Sequence, residues 1–283
     1  MKSLKYFLLL SVLLLFGCSA MAVEKDDSVE VIEKTSKIKK SDDYGFCERN
    51  WNNNKKASVK DLRESTISRT DLLSVDGQKN GGISVKGEDR ADILVRACVR
   101  VWGNTEADAN SALKSINIST SPVVKAENTP EKGWSVSYEI LVPKTTNLKL
   151  TAHNGGISIK SVTGNLEFET TNGGVSLSEV GGNVKGFTTN GGISVNLSGA
   201  RFNGNGLNVE TKNGGVSLRL PSNYAADVET GTVNGGLSSD FKELQAEKKG
   251  RWYRNKQISA RINGGGPKIR VVTTNGGVRI KSN

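Results

Sequence analysis

Residues 154–171 read NGGISIKSVTGNLEFETT and residues 172–189 read NGGVSLSEVGGNVKGFTT; laid against each other without a gap, they agree at nine of 18 positions. Agreement of that depth at a fixed interval marks a tandem structural repeat. Asn-Gly-Gly is a sharp corner, because glycine accepts positive φ freely and asparagine tolerates it better than other residues. After the corner comes apolar-Ser-apolar: Ile157-Ser158-Ile159, Val175-Ser176-Leu177 and, further on, Ile193-Ser194-Val195 and Val216-Ser217-Leu218. Alternation of that kind sends the aliphatic side chains to one face of a strand and the serines to the other. A second corner, Thr163-Gly164-Asn165 or Gly181-Gly182-Asn183, opens a second extended run, Leu166 to Thr171 or Val184 to Thr189. Each unit is therefore two short strands and two turns.

Asn-Gly-Gly begins at eight positions, Asn80, Asn154, Asn172, Asn190, Asn213, Asn234, Asn263 and Asn275, and from Asn154 onward the steps are 18, 18, 23, 21, 29 and 12 residues. Two folds can use such a unit. In an antiparallel sandwich, Asn-Gly would close hairpins and partner strands would differ freely in sequence. In a β-solenoid each unit stacks on the last and like residues form ladders. The near-identity of successive units favours an all-β, single-stranded β-solenoid of stacked coils about 18 residues long. All eight asparagines are assigned to a structural corner ladder, with Asn154, Asn172, Asn190 and Asn213 expected to hydrogen-bond side chain to side chain.

Residues 58–150 differ from the array but can join it. Arg63 to Val75, Ala91 to Trp102 and Trp134 to Val142 read as strands, and Asn80-Gly-Gly-Ile83-Ser84-Val85 is an outlying copy of the unit. One short covering helix is expected: Thr105-Glu-Ala-Asp108 has the form of a capping box, and Ala109, Ala112, Leu113 and Ile116 recur at helical spacing. Its expected place is over an end or side of the sheet, where it would protect an edge.

Taken together, the strand-NGGISVKG-strand opening at 71–102, the helix after Val101-Trp102-Gly103, the strand Tyr138-Glu-Ile-Leu-Val-Pro143 and the NGG array resemble the toastrack-type β-solenoids, bacterial envelope proteins labelled as adhesins. The resemblance runs from about Arg63 to Asn283. It implies a non-catalytic envelope role and supplies no catalytic residues. In that family the corner is often Asn-Gly-Asp; here the third position is always glycine, which removes a row of carboxylates and weakens any cation-binding role.

The amino terminus reads as an export signal. Lys2 and Lys5 precede an apolar stretch from Phe7 to Phe16, too short to span a membrane. Leu15-Phe16-Gly17-Cys18 resembles a lipobox, and Ala20-Met21-Ala22 is a competing A-x-A cleavage site. The lipobox reading makes residues 1–17 a signal peptide, Cys18 a lipidation site, 18–43 a flexible tether rich in charge and serine, and 44–283 the solenoid domain, divided into 58–150 and the array at 151–283. It places the protein in the cell envelope as a lipoprotein. Ser19, in place of an aspartate, points to the outer membrane; the A-x-A site would instead leave it periplasmic or secreted. Cys47 and Cys98 then remain as an even pair in an exported chain, which reads as a disulfide.

Composition limits the chemistry. Thirty-two glycines in 283 residues without a three-residue period exclude collagen, and a hydrophobic content of 35% excludes a disordered chain. The sole histidine, His153, rules out a two-histidine metal site within one chain. The array lacks the aspartates of calcium-binding solenoid repeats. No cofactor or metal is expected, and no catalytic residue is assigned. The enzymatic alternative is a carbohydrate-active β-helix acting on an acidic polysaccharide through Glu167 and Glu169, two residues apart on one strand face.

Charge supplies the binding reading. The net charge is +10, and the stretch from 248 to 281 holds ten cations and no acid. Within it Lys248, Lys249, Arg251, Trp252, Tyr253, Arg254, Lys256, Arg261, Lys268 and Arg270 are the candidates for holding a polyanion. The expected partner is an anionic envelope lipid or glycan, or an envelope protein, ahead of nucleic acid, with membrane attachment through the lipid anchor.

Overall fold

The computed structural model describes residues 45–48, 57–245, 248–249, 252–253 and 256–283. The signal peptide, Cys18, the tether, Arg251 and Arg254 lie outside the described residues.

Two sheets face each other across one apolar interior. Each repeat contributes a longer strand to the back sheet, turns at Asn-Gly-Gly, and contributes a short strand to the front sheet. The rung built around Asn172, for example, consists of Thr163–Thr170 behind and Val175–Ser178 in front. Equivalent strands pair in parallel and in register: Val175 lies beside Ile157 on one side and Ile193 on the other. Parallel stacking of like residues is the solenoid arrangement; the sandwich alternative would have required antiparallel hairpins at these corners.

The interior is filled as the alternation requires. Ile157, Ile159, Val175, Leu177, Ile193, Val195, Val216 and Leu218 are buried against Leu148, Leu150, Leu166, Val184, Leu207 and Val209 of the back sheet. One large residue meets one small: the ring of Phe168 fills the space over Gly186, its partner on the next rung, so that a Cβ there would lie 1.9 Å from the ring.

The rungs do not follow one another in chain order. In space the corners run Asn80, Asn154, Asn172, Asn190, Asn213, Asn275, Asn234, because the carboxyl-terminal rung slides between two earlier ones. Its strand Lys268–Asn275 pairs in parallel with both Gly204–Asn213 and Ala226–Asn234, and Val278–Ser282 lies between Val216–Leu220 and Leu237–Ser239. Gln257–Ile262 closes the back sheet antiparallel to Ala226–Asn234.

At the other end the front sheet runs on through Trp134–Pro143, Asp92–Gly103 and the terminal strand Ala57–Ser68, the last two pairings antiparallel. The stretch expected to be one strand from Arg63 to Val75 is broken at 69–71, and its two parts join different sheets. The helix Glu106–Ser115 forms where expected, its first turn held by the Asp108 amide donating to Thr105 Oγ1 at 3.1 Å. Ala109 and Ile116 are buried in the core. It packs on the inward side of Asp92–Gly103 and Ala57–Ser68, and the Arg63 guanidinium donates to the carbonyls of Leu113 and Ile116 at its end. Thus the helix covers a face, in place of the back sheet, and leaves the sheet edge alone. Cys98 points to the outer side of the front sheet and is bonded to Cys47 of the short helix Gly45–Glu48.

Candidate binding face

The repeat unit builds its corner from four positions. The asparagines form a column: Asn154 Nδ2 donates to Asn80 Oδ1, Asn172 to Asn154, Asn190 to Asn172, Asn213 to Asn190, Asn275 to Asn213 and Asn234 to Asn275, at 2.8–3.2 Å. Asn263 is not part of it. Its Nδ2 donates to the carbonyls of Ser222 and Tyr224, and it turns the chain back after an antiparallel strand. The chain continues from its two glycines into Gly266-Pro267-Lys268, without the apolar-Ser-apolar run that marks a true corner.

Two residues before the corner stands a threonine that the sequence reading passed over. Thr170, Thr188, Thr211 and Thr273 are buried and each donates to the first-glycine carbonyl of the adjacent rung, respectively Gly155, Gly173, Gly191 and Gly214, at 2.7–2.8 Å. The signal was its recurrence as Thr-x-Asn-Gly-Gly.

The two corner glycines differ. A Cβ on the first would strike backbone of the neighbouring rung: Gly155, Gly173, Gly191 and Gly214 all have a carbonyl oxygen within 2.0–2.1 Å of that position. The second glycine points outward, where Gly174, Gly192 and Gly215 leave 3.2–3.4 Å. Beside it the serine of apolar-Ser-apolar also points outward. Across the front sheet these positions align as one row: Glu64, Arg96, Glu139, Ser84, Ser158, Ser176, Ser194, Ser217, Arg279, Ser238. Five consecutive serines span about 19 Å at the spacing of hydrogen-bonded strands.

Because nothing in this part of the floor is longer than serine, an open groove of about 1530 Å³ runs along the sheet, with Phe46 and Arg100 at one end and Arg279 at the other. Arg96 lies at the Phe46 end, clamped between Glu64 at 2.8 Å and Glu139 at 2.5 Å. The next outward row holds Lys86, Lys160, Ser178, Asn196, Arg219 and Lys281. Lys160, Arg219, Arg279 and Lys281 are exposed and form no ion pair among the described residues. Arg279 and Lys281 belong to the carboxyl-terminal run, but Lys160 and Arg219 were missed because they stand apart in the chain and only pairing register brings them to the same face.

Arg261, Lys268 and Arg270, earlier in the carboxyl-terminal basic run, fare differently. Neighbouring strands bring acids to them: Arg261 meets Asp227 at 3.2 Å, Lys268 meets Glu229 at 2.6 Å, and Arg270 meets Glu229 at 3.0 Å and Glu210 at 3.1 Å. The Lys268 ammonium, bonded to Glu229, and then the Arg270 guanidinium hold that carboxyl below its usual range. Three of the expected polyanion-binding cations are thus partly neutralised at home. Lys256 is half-buried, and Lys248-Lys249 pair with Trp252-Tyr253 as a small hairpin.

Glu167 lies in a row between Lys149 and Lys185, and Glu169 between Thr151 and Phe187, beside a shallow depression of about 300 Å³. His153 is exposed at the corner and its backbone links the rungs, accepting from Asn172 N and donating to Gln78 O. Among the described residues no group of three or more His, Cys, Asp or Glu is placed to hold a metal.

Residues 24–281 match the family described as Toastrack DUF4097. The chain is similar to a "putative cell adhesion protein" from Clostridium sporogenes, at 12% identity and a TM-score of 0.43, covering 79% of this chain and 100% of that one. It is also similar to a "putative adhesin" from Bacteroides fragilis, at 10% identity and a TM-score of 0.35, covering 80% of this chain and 97% of that one. None of the curated proteins compared matches it.

Proposed function

The chain belongs to the Toastrack DUF4097 family, and from that premise we propose that it is a non-catalytic, adhesin-like scaffold of the bacterial envelope whose front face takes an extended acidic glycan. In this reading a lipid on Cys18 holds it to the outer membrane and residues 18–43 set the domain off the surface.

The observation that supports the binding face is the groove itself: a floor of serine and glycine beside Lys160, Arg219, Arg279 and Lys281. Short floor residues let a polymer backbone lie close, and each serine hydroxyl both donates and accepts. Lys160, Arg219, Arg279 and Lys281, with no ion pair among the described residues, keep their field for an incoming anion, whereas Arg261, Lys268 and Arg270 spend theirs on Asp227, Glu210 and Glu229. The elongated shape suits a polymer better than a single headgroup.

The test is retention of the purified protein on immobilised acidic polysaccharide at low and high salt, with anionic vesicles as a parallel arm. Retention is expected to weaken with salt and to be lost in the Lys160→Glu, Arg219→Glu, Arg279→Glu triple variant. It is expected to survive Arg251→Glu, Arg254→Glu, Lys256→Glu. Equal retention of wild type and the first variant would remove the front face as the site. Release of new reducing ends or unsaturated products that disappears in Glu167→Gln or Glu169→Gln would replace the whole reading with an enzymatic one.

A further inference from the structure

The front sheet ends unevenly. One terminal strand, Leu237–Ser239, has three residues; the other, Ala57–Ser68, has twelve, pairs without interruption with Asp92–Gly103 on one side, and has no strand on its other side among the described residues. A long, regular edge without proline, glycine or bulge is a template for another strand.

Its sequence says which strand. The centre reads Lys60-Asp61-Leu62-Arg63-Glu64, a pattern whose charge inverts about Leu62. Placed antiparallel against a copy of itself with Leu62 opposite Leu62, it sets Lys60 against Glu64 and Asp61 against Arg63, twice over. The flanking pairs are Val59 with Ser65 and Ser58 with Thr66. Every nearby register is penalised. A shift of one residue brings Lys60 opposite Arg63 or Asp61 opposite Glu64, and a shift of two brings Asp61 or Arg63 opposite its own copy. Like charges directly opposed destabilise a strand pair.

The surroundings fit. Leu62 is 39% exposed, one of three large hydrophobic residues so placed among the described residues. The charged neighbours have partners within their own chain, Lys60 with Glu48, Arg63 with Asp61 and Glu64 with Arg96. Even so, the side chains of Lys60, Asp61 and Glu64 stay 41%, 48% and 51% exposed. On the inward side Asp61 and Arg63 of two copies would alternate in sign. We propose that the chain forms a two-fold symmetric dimer in which Ala57–Ser68 pairs antiparallel with the same strand of a second copy about Leu62, joining the two front sheets into one. An isologous contact of this kind closes on itself and does not propagate.

Sedimentation of the purified protein tests it. Wild type is expected to be a dimer. Leu62→Lys, which touches no ion pair, is expected to be a monomer with an unchanged melting curve. Lys60→Glu alone and Glu64→Lys alone are expected to be monomers, since each opposes like charges at both ends of the pair, and their equimolar mixture is expected to return to the dimer mass. Circular dichroism and melting confirm that Glu64→Lys, which loses a contact to Arg96, is folded. A wild type that stays monomeric as its concentration is raised, a dimer that persists in Leu62→Lys, or folded single variants that fail to reassociate on mixing would each overturn the proposal.

Discussion

At the scale of the residue, the two glycines of the Asn172 corner have opposite tolerances although the sequence shows them as a pair. A methyl at Gly173 would lie 2.1 Å from the Gly155 carbonyl oxygen, with the rest of the Gly155-Gly156 peptide within 2.8 Å, whereas one at Gly174 meets its nearest atom at 3.4 Å. Gly173→Ala is expected to cost at least about 2 kcal/mol by forced overpacking, and Gly174→Ala to stay within about 0.5 kcal/mol; chemical denaturation of both separates them. The same asymmetry explains how related corners can carry Asn-Gly-Asp. Tyr138 is an interior oddity: its hydroxyl is buried without a hydrogen-bond partner among the described residues, and burial, then the Asp76 charge, push its pKa far up. Tyr138→Phe removes a desolvated polar group and is expected to be neutral or stabilising by about 1 kcal/mol in the same assay. Glu229 carries a pH signature. Its folded pKa is lowered from 4.5, so its contribution is present above that value and is lost as pH falls through the lower folded one. Acid titrations should therefore show Glu229→Gln flatter than wild type below about pH 4.5.

At the scale of the element, the pairing of Cys47 with Cys98 ties a four-residue helix to the outer side of the front sheet across a separation of 51 residues. Closing a loop of that length contributes on the order of 4 kcal/mol in the chain-entropy model. The Cys47→Ser, Cys98→Ser double variant is expected to lose up to that amount, read as a lower denaturation midpoint with an unchanged β-sheet circular dichroism spectrum. This bond could be anticipated because Cys47 and Cys98 are the only cysteines left once Cys18 is assigned to the lipobox. The helix Glu106–Ser115 was legible because its cap and apolar spacing are local. Its position was not: the strand Ala57–Ser68 and the Arg63 contacts that hold it lie some fifty residues away in sequence.

At the scale of the whole molecule, the inserted carboxyl-terminal rung changes how the protein should fail. In a solenoid wound in chain order, removing the last coil exposes one new surface and the rest stands. Here removal of residues 266–283 strips both neighbours, leaving Gly204–Asn213 and Ala226–Asn234 without the strand between them and breaking the asparagine column at two bonds. The truncated chain is expected to lose the structure of residues 204–262 cooperatively. Limited proteolysis should then cut throughout that region, where a chain-order solenoid would be cut only near the new end.

Repeat period, strand alternation, corner chemistry and the helix cap were all written in the sequence, because each depends on residues within a few positions of one another or on self-similarity between units, and the disulfide was legible because Cys18 leaves only one pair of cysteines. Asn263 shows the limit of that reading, since it copies the corner motif without the apolar-Ser-apolar strand that makes the motif a corner. The order of the rungs, the acids that meet Arg261, Lys268 and Arg270, and the basic row of Lys160, Arg219 and Lys281 were decided only by tertiary pairing. Parallel strands join residues tens of positions apart, and it is register between them, invisible along the chain, that determines which charges become neighbours and which are left to face outward.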